Sequence, residues 1–358
     1  MSGFRAFLKR KNIEISLRRY GIDALGAMAQ GLFCSLLIGT ILNTLGSQTG
    51  VAIFSTVGGY ATAVSGPAMA VAIGYALKCP PLVLFSMVPV GWAANALGGS
   101  AGGPLAVFVI AIVAAEVGKM VSKETPVDVL VTPLVTIFAG VALAALIAPP
   151  IGAGANYVGA LIKRATVLQP FWMGIIVSAS VGIALTLPIS SAAICHSFNL
   201  VGLAGGAAVA GCCANMVGFA VMSFRENRWG GLVSQGLGTS MLQMGNIVKN
   251  PRIWLPAILT SMITGPIATC VFKLEMNGAA INSGMGTCGL CGPIGVWTGW
   301  VNPSDVALAD GAAAIAPGAM DWLGLALVCF VLPAVICWAL GLFFRRIGWI
   351  REGDLRLD

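Results

Sequence analysis

Charge is scarce in this chain. Asp, Glu, Lys and Arg make up only 9% of its 358 residues, against roughly 25% in a soluble domain, and the stretch between Asp23 and Lys78 carries none. A core able to hide a sequence that is 58% hydrophobic, with mean hydropathy +0.91, would still need a charged surface that so few residues cannot supply. A soluble enzyme and a nucleic-acid binder are therefore excluded, and no catalytic residues are expected. Histidine is nearly absent as well: His196 is the only one, and no second Cys-x-x-Cys accompanies Cys288-x-x-Cys291. That leaves no complete metal-ligand set, so neither a metal nor another cofactor is expected. A GxxxxGK[ST] loop is missing too, which argues against transport driven by the chain's own ATP hydrolysis. The first twenty residues have no long apolar run and no small-residue cleavage site, unlike a secretory signal.

Apolar runs, by contrast, are abundant. About 20 apolar residues suffice to cross the hydrocarbon of a bilayer, and clear runs lie at 24–45, 51–77, 82–97, 104–118, 129–148, 171–187, 200–222, 253–272 and 323–344. Weaker, Gly-broken segments occupy 232–248 and 277–316. The expectation is an all-α polytopic membrane protein with about 10–12 transmembrane helices and re-entrant hairpins. With twelve crossings and the N-terminus inside, fifteen of the 20 basic residues fall in inside loops, so both termini are expected in the cytoplasm. Basic residues before Tyr20, among them Lys9, Arg10 and Lys11, alternate with Phe4, Phe7, Leu8 and Ile13, as in a segment lying on the membrane surface. The ten cysteines sit mostly in apolar runs, where they act as small hydrophobes, and no disulfide framework is implied.

Short patterns recur in order along the chain. Gln30-Gly31-Leu32-x-x-Ser35 returns at Gln235-Gly236-Leu237-x-x-Ser240, Ser65-Gly66-Pro67 as Thr264-Gly265-Pro266, and Gly103-Pro104 as Gly292-Pro293. With five crossings in the first half and two between, these repeats would be inverted. The expected organisation is a cytoplasmic basic segment 1–23, a first transmembrane repeat 24–150, connecting helices 151–232, a second repeat 233–344 and a cytoplasmic tail 345–358.

Four stretches are too polar or too rich in Gly to face lipid: 98–103, 187–199, 234–250 and 277–292. Irregular backbone at membrane depth needs cover from protein or a water-filled cavity, so these are candidates for lining a solute path; close helix packing through Gly is the structural alternative. Ser190, Ser191, Asn199, Gln235, Thr239, Ser240, Gln243, Asn246 and Thr287 supply hydroxyls and amides without charge. Such groups suit a small polar, uncharged solute such as a sugar or polyol, whereas a carboxylate or phosphate calls for Arg, Lys or a helix N-terminus. If 234–250 is one helix, Gln235, Thr239, Gln243 and Asn246 share a face, a stripe that interhelical bonding explains equally well. His196, as an embedded ionisable residue, is a further candidate for the site, or else a loop-end histidine in water. Glu226 reads as a solvated loop charge, and Glu116 and Asp128 as partners of Lys119 and Lys123 at a membrane surface.

At Leu187-Pro188-Ile189-Ser190-Ser191-Ala192-Ala193-Ile194, Gly205-Gly206-Ala207-Ala208-Val209-Ala210-Gly211-Cys212-Cys213, Ser223-Phe224-Arg225-Glu226-Asn227 and Gly236-Leu237-Gly238-Thr239-Ser240-Met241-Leu242-Gln243 the chain resembles bacterial phosphotransferase-system EIIC membrane components, in their perfringolysin-regulator-like branch. That resemblance implies a homodimeric permease in the bacterial inner membrane. It also implies substrate-binding hairpins and a separate cytoplasmic IIB phosphocarrier as partner. Two features depart from the better-known sugar members. His196 stands where a site histidine is possible, but 277–293 contains no Glu to match a hairpin glutamate, and no soluble IIA or IIB domain is fused after Phe344. A gradient-driven carrier or channel and a membrane sensor stay open as alternatives.

Overall fold

A computed structural model describes residues 2–357. It divides into two compact units, 1–154 and 155–358. The first contains α1 (Ser2–Arg10), the long bent α2 (Arg19–Thr49), α3 (Ala52–Ala63), α4 (Ser65–Ala76), α5 (Pro81–Leu97), α6 (Gly99–Val121) and most of α7 (Asp128–Ala165). Small residues set the packing distances here. A Cβ on Gly66 would strike the Gly91 carbonyl oxygen, and one on Gly91 the carbonyl of Gly66, so α4 and α5 touch backbone to backbone. The 98–103 stretch, expected to be irregular, is instead the helical start of α6: the chain reverses at Gly98 and Gly99, the latter with φ +70°, and Gly103 packs on Asn95.

Ion pairs gather at one end of this unit. Lys119 is buried yet satisfied: its Nζ lies 2.7 Å from Glu116 Oε2 and donates to the carbonyls of Asn12 (3.0 Å) and Leu77 (3.2 Å). Tyr20 donates to the other Glu116 oxygen at 3.2 Å. Glu116 thus pairs with Lys119 as expected, whereas Asp128 takes the backbone N–H of Lys123 and the Thr132 hydroxyl rather than the Lys123 ammonium. Glu124 is held by Lys11 and by Arg10, the latter at 2.7 Å, and the Lys11 hydrogen bond is the main reason its carboxyl titrates below the ordinary carboxylate range. A depressed carboxyl contributes stability above its unfolded value and loses it as pH falls through the folded one. The 2–12 segment is therefore expected to loosen from 122–128 as pH falls below the ordinary carboxylate range. Once the intrinsic slowing of exchange in acid is divided out, its amide protection should fall there and stay unchanged with pH in Glu124→Gln, which lacks the titrating group.

The second unit contains α8 (Pro170–Thr186), α9 (Ser191–Ser197), α10 (Gly202–Met222), α11 (Phe224–Val233), α12 (Met244–Lys249), α13 (Pro251–Val271), α14 (Cys291–Val301), α15 (Asp305–Ala309) and α16 (Ala319–Arg346). Its centre is α10, flanked by α8, α13 and α16. Gly206 abuts the Leu274 carbonyl, Gly211 the Ser178 carbonyl and Gly265 the Gly174 carbonyl, so no side chain larger than hydrogen fits at these crossings. Extended pairing among the described residues is limited to one isolated bridge, Gly202 with Met276.

Among the described residues six helices are long and apolar enough to cross a membrane, seven if the bent pair α3–α4, broken by 51°, is one span. Two shorter apolar helices, α5 and α8, add to them. This is an all-α polytopic membrane protein, with fewer full-length helices than the ten to twelve expected. The difference arises at 232–248 and 277–316, where Gly and Pro break the chain into short turns. Outward-facing Val129, Leu130, Leu134, Phe138 and Leu146 on α7 are at no cost when the surrounding solvent is lipid.

Candidate functional site

Two chains of uncharged side chains run through the second unit. The first is centred on Asn215, a fully buried amide in the middle of α10. Its Nδ2 donates to Ser261 Oγ on α13 (3.0 Å) and to the Gly211 carbonyl (3.1 Å); its Oδ1 accepts from Trp254 Nε1 (3.1 Å) and from Thr186 Oγ1 on α8 (3.3 Å). Thr186 continues to Ser240 at 2.8 Å, and Ser178 on α8 donates to the Ser261 carbonyl at 2.6 Å. Every donor and acceptor of the amide is thus in use, as low-dielectric burial demands.

The second chain grows from 234–250. This segment is not one helix: a π-helical turn at Ser234–Gly238 gives way to an extended Thr239 (φ −157°, ψ 141°), a 3-10 turn at Ser240–Gln243 and then α12. The break comes from Gly236 and Gly238, which weaken the helix, and from Thr239, whose hydroxyl accepts from Met241 N at 3.2 Å. Gln235, Gln243 and Asn246 nevertheless meet. Ser223 accepts from Gln235 Nε2 (2.8 Å), Gln235 Oε1 from Gln243 Nε2 (2.8 Å), and Gln243 Oε1 from Asn246 Nδ2 (2.9 Å). Thr239, expected on their face, takes no part.

The stripe's outer donors are taken by the segment following α16. Gln243 Nε2 donates to the Leu355 carbonyl at 2.9 Å and Asn246 Nδ2 to the Arg356 carbonyl at 2.8 Å. Asn227 clasps the same segment from both sides, its Nδ2 on the Leu355 carbonyl (2.7 Å) and its Oδ1 receiving Leu357 N–H (2.8 Å), while Asn250 holds the Trp349 carbonyl (3.0 Å) and Asp354 (2.8 Å).

The remaining candidates stand apart. Ser190 caps α9 by accepting from Ala193 N at 3.2 Å, and Ser191 donates to the Gly284 carbonyl at 2.8 Å, while Ser283 donates to the Leu200 carbonyl at 2.6 Å. The 187–200 loop is thereby stitched to the buried turns of 277–292. Thr287, also buried, donates to the Met216 thioether at 3.7 Å. His196 and Asn199 are exposed, and Asn199 lines a separate cavity of about 340 Å³ beside Leu200 and Asp310. Glu226 corrects an expectation. Its carboxylate is buried and paired with Arg345 at 2.7 Å, because α11 and the end of α16 pack together there. Asn215, Ser178 and Ser261 were not singled out from the sequence, although a lone Asn amid the apolar run 200–222 was the available signal.

Residues 22–357 match the family described as Phosphotransferase system, EIIC. The chain belongs to the phosphotransferase-system EIIC family. Because the match runs from the first turn of α2 to beyond the end of α16, it takes in both units. Among curated proteins and among solved structures, none matches this EIIC chain. Family membership makes it an integral membrane permease component of a phosphotransferase system, one that serves a solute and a separate IIB partner.

Proposed function

We propose that this EIIC component translocates a small uncharged polar solute of the sugar or polyol class, phosphorylated through the separate IIB. The carrying observation is the composition of the second unit's buried polar chains: Gln235, Ser240, Gln243, Asn246, Thr186, Asn215 and Ser261 are amides and hydroxyls, with no charged side chain among them. A neutral donor can exchange a protein acceptor for a solute hydroxyl at little net cost, whereas an anion would need Arg or Lys to offset its desolvation. Gln235, Gln243 and Asn246 form the centre of the proposed site, with Ser240 and Thr239 on the neighbouring turn. Ser190, Ser191, Thr287, His196 and Asn199 stand apart from that centre and are assigned to a second, hairpin side of the solute path. The arrangement described is a closed one, in which protein groups occupy the positions that solute hydroxyls would take. The proposal extends to a homodimer in the bacterial inner membrane with both chain ends in the cytoplasm, and to the division at 24–150, 151–232 and 233–344.

The test is a thermal-shift screen of purified protein against sugars, polyols, nucleosides and organic acids. A site ligand at about a hundredfold excess over its Kd stabilises by about 2.7 kcal/mol, so one sugar or polyol should raise the melting temperature by several degrees, and Gln243→Ala should abolish that rise. Stabilisation by anions or cations alone would sink the proposal in favour of a gradient-driven carrier or channel.

A further inference from the structure

Beneath the segment that covers the amide stripe lies a cavity of about 680 Å³, and its charge is out of balance. The body of the second unit contributes Arg225 and the buried Glu226–Arg345 pair, and the covering segment contributes Arg351, Glu352 and Arg356. Arg225, Arg351 and Arg356 are exposed, and none of them has an ion-pair partner among the described residues. Like charges brought to one cavity from two separate elements repel. The hydrogen bonds from Asn227, Gln243, Asn246 and Asn250 hold the segment down, while the arginines push it off. An oxyanion bridging Arg225 to Arg351 and Arg356 would reverse the sign of that second contribution, because guanidinium forks bind such groups bidentately.

We propose that this cavity is a phosphate-class anion site, built half from the body and half from the 349–357 segment, and that its occupancy latches the segment over Gln243 and Asn246. The ligand chemistry is a phosphate monoester or diester, supplied by a free cytosolic phosphate compound or by an anionic lipid headgroup. This rests on the preceding reading only in so far as the covered amides are the solute site; the latch itself is a property of 349–357 and can be measured where no solute is known.

Amide hydrogen exchange of the intact chain tests it. Residues 349–357 are followed in detergent with and without millimolar inorganic phosphate, ionic strength being matched with sodium chloride, and in nanodiscs of phosphatidylglycerol against phosphatidylcholine. Exchange of these amides, Leu357 in particular, is expected to slow by about tenfold with one of the two phosphate sources, and that source is then the physiological class. Arg225→Gln and Arg356→Gln should remove the slowing while the protein elutes and melts as before. Asn227→Ala, which loses both contacts to the segment, should speed exchange of 349–357 even without anion. Equal exchange under all conditions would overturn the proposal, as would slowing by chloride alone or slowing that survives both arginine substitutions. Failure of the solute screen would leave these outcomes unaffected, so the two readings fail separately.

Discussion

Gly211→Leu is expected to yield no monodisperse protein after solubilisation. A Cβ at Gly211 would sit 2.5 Å from the carbonyl carbon and 2.7 Å from Cα of Ser178, closer still to the carbonyl oxygen, and all three atoms are backbone that cannot turn aside. Relief requires α8 to move away from α10. That movement parts Ser178 from the Ser261 carbonyl and Thr186 from Asn215, leaving buried polar groups unsatisfied in addition to the lost packing. Gly211→Ala, the mildest form of the change, should cost about 1–3 kcal/mol as an overpacking substitution, read as a lowered melting temperature. Gly230→Ala is the control. It meets nothing within 4 Å and should behave as wild type. If Gly211→Leu elutes and melts normally, the close crossing of α8 and α10 is wrong.

The second large effect is expected at the Glu226–Arg345 pair. Side-chain exposures of 5% and 16% leave little water to screen either charge. Removing one partner of such a pair strands the other, which costs about 3–5 kcal/mol, whereas replacing both with neutral groups of similar size is near neutral. Arg345→Met should therefore destabilise strongly, because Glu226 would keep a buried charge. Glu226→Gln combined with Arg345→Met should recover most of the loss. A double-mutant cycle on melting temperature checks this; additive effects would mean that the pair is solvated and that the loop reading of Glu226 was right after all.

The contrast between Glu226 and Gln243 shows where sequence reading reaches its limit. Scarcity of charge and the length of the apolar runs were enough for membrane residence and an all-helical fold, since a bilayer imposes the same hydrogen-bonding requirement on every segment that crosses it. Gln235, Gln243 and Asn246 were legible as a set because amides in an apolar chain must find partners nearby. Their geometry was not: a helix would have aligned Thr239 with them, whereas the glycines on either side of Leu237 broke the segment and aimed Thr239 at its own backbone. His196 drew notice as the sole histidine, yet its side chain lies exposed, outside both hydrogen-bonded chains.

The amino acids alone settled the solvent, the helical class and the family, because these depend on composition, run length and local motifs. Tertiary structure alone decided which polar groups are engaged and by what. Glu226 meets Arg345 across 119 positions, Gln243 meets the Leu355 carbonyl across 112 and Asn246 meets that of Arg356 across 110. No local pattern encodes such distant pairings, since they depend on how the helices between them pack, and the packing is set by where glycine lets two backbones approach.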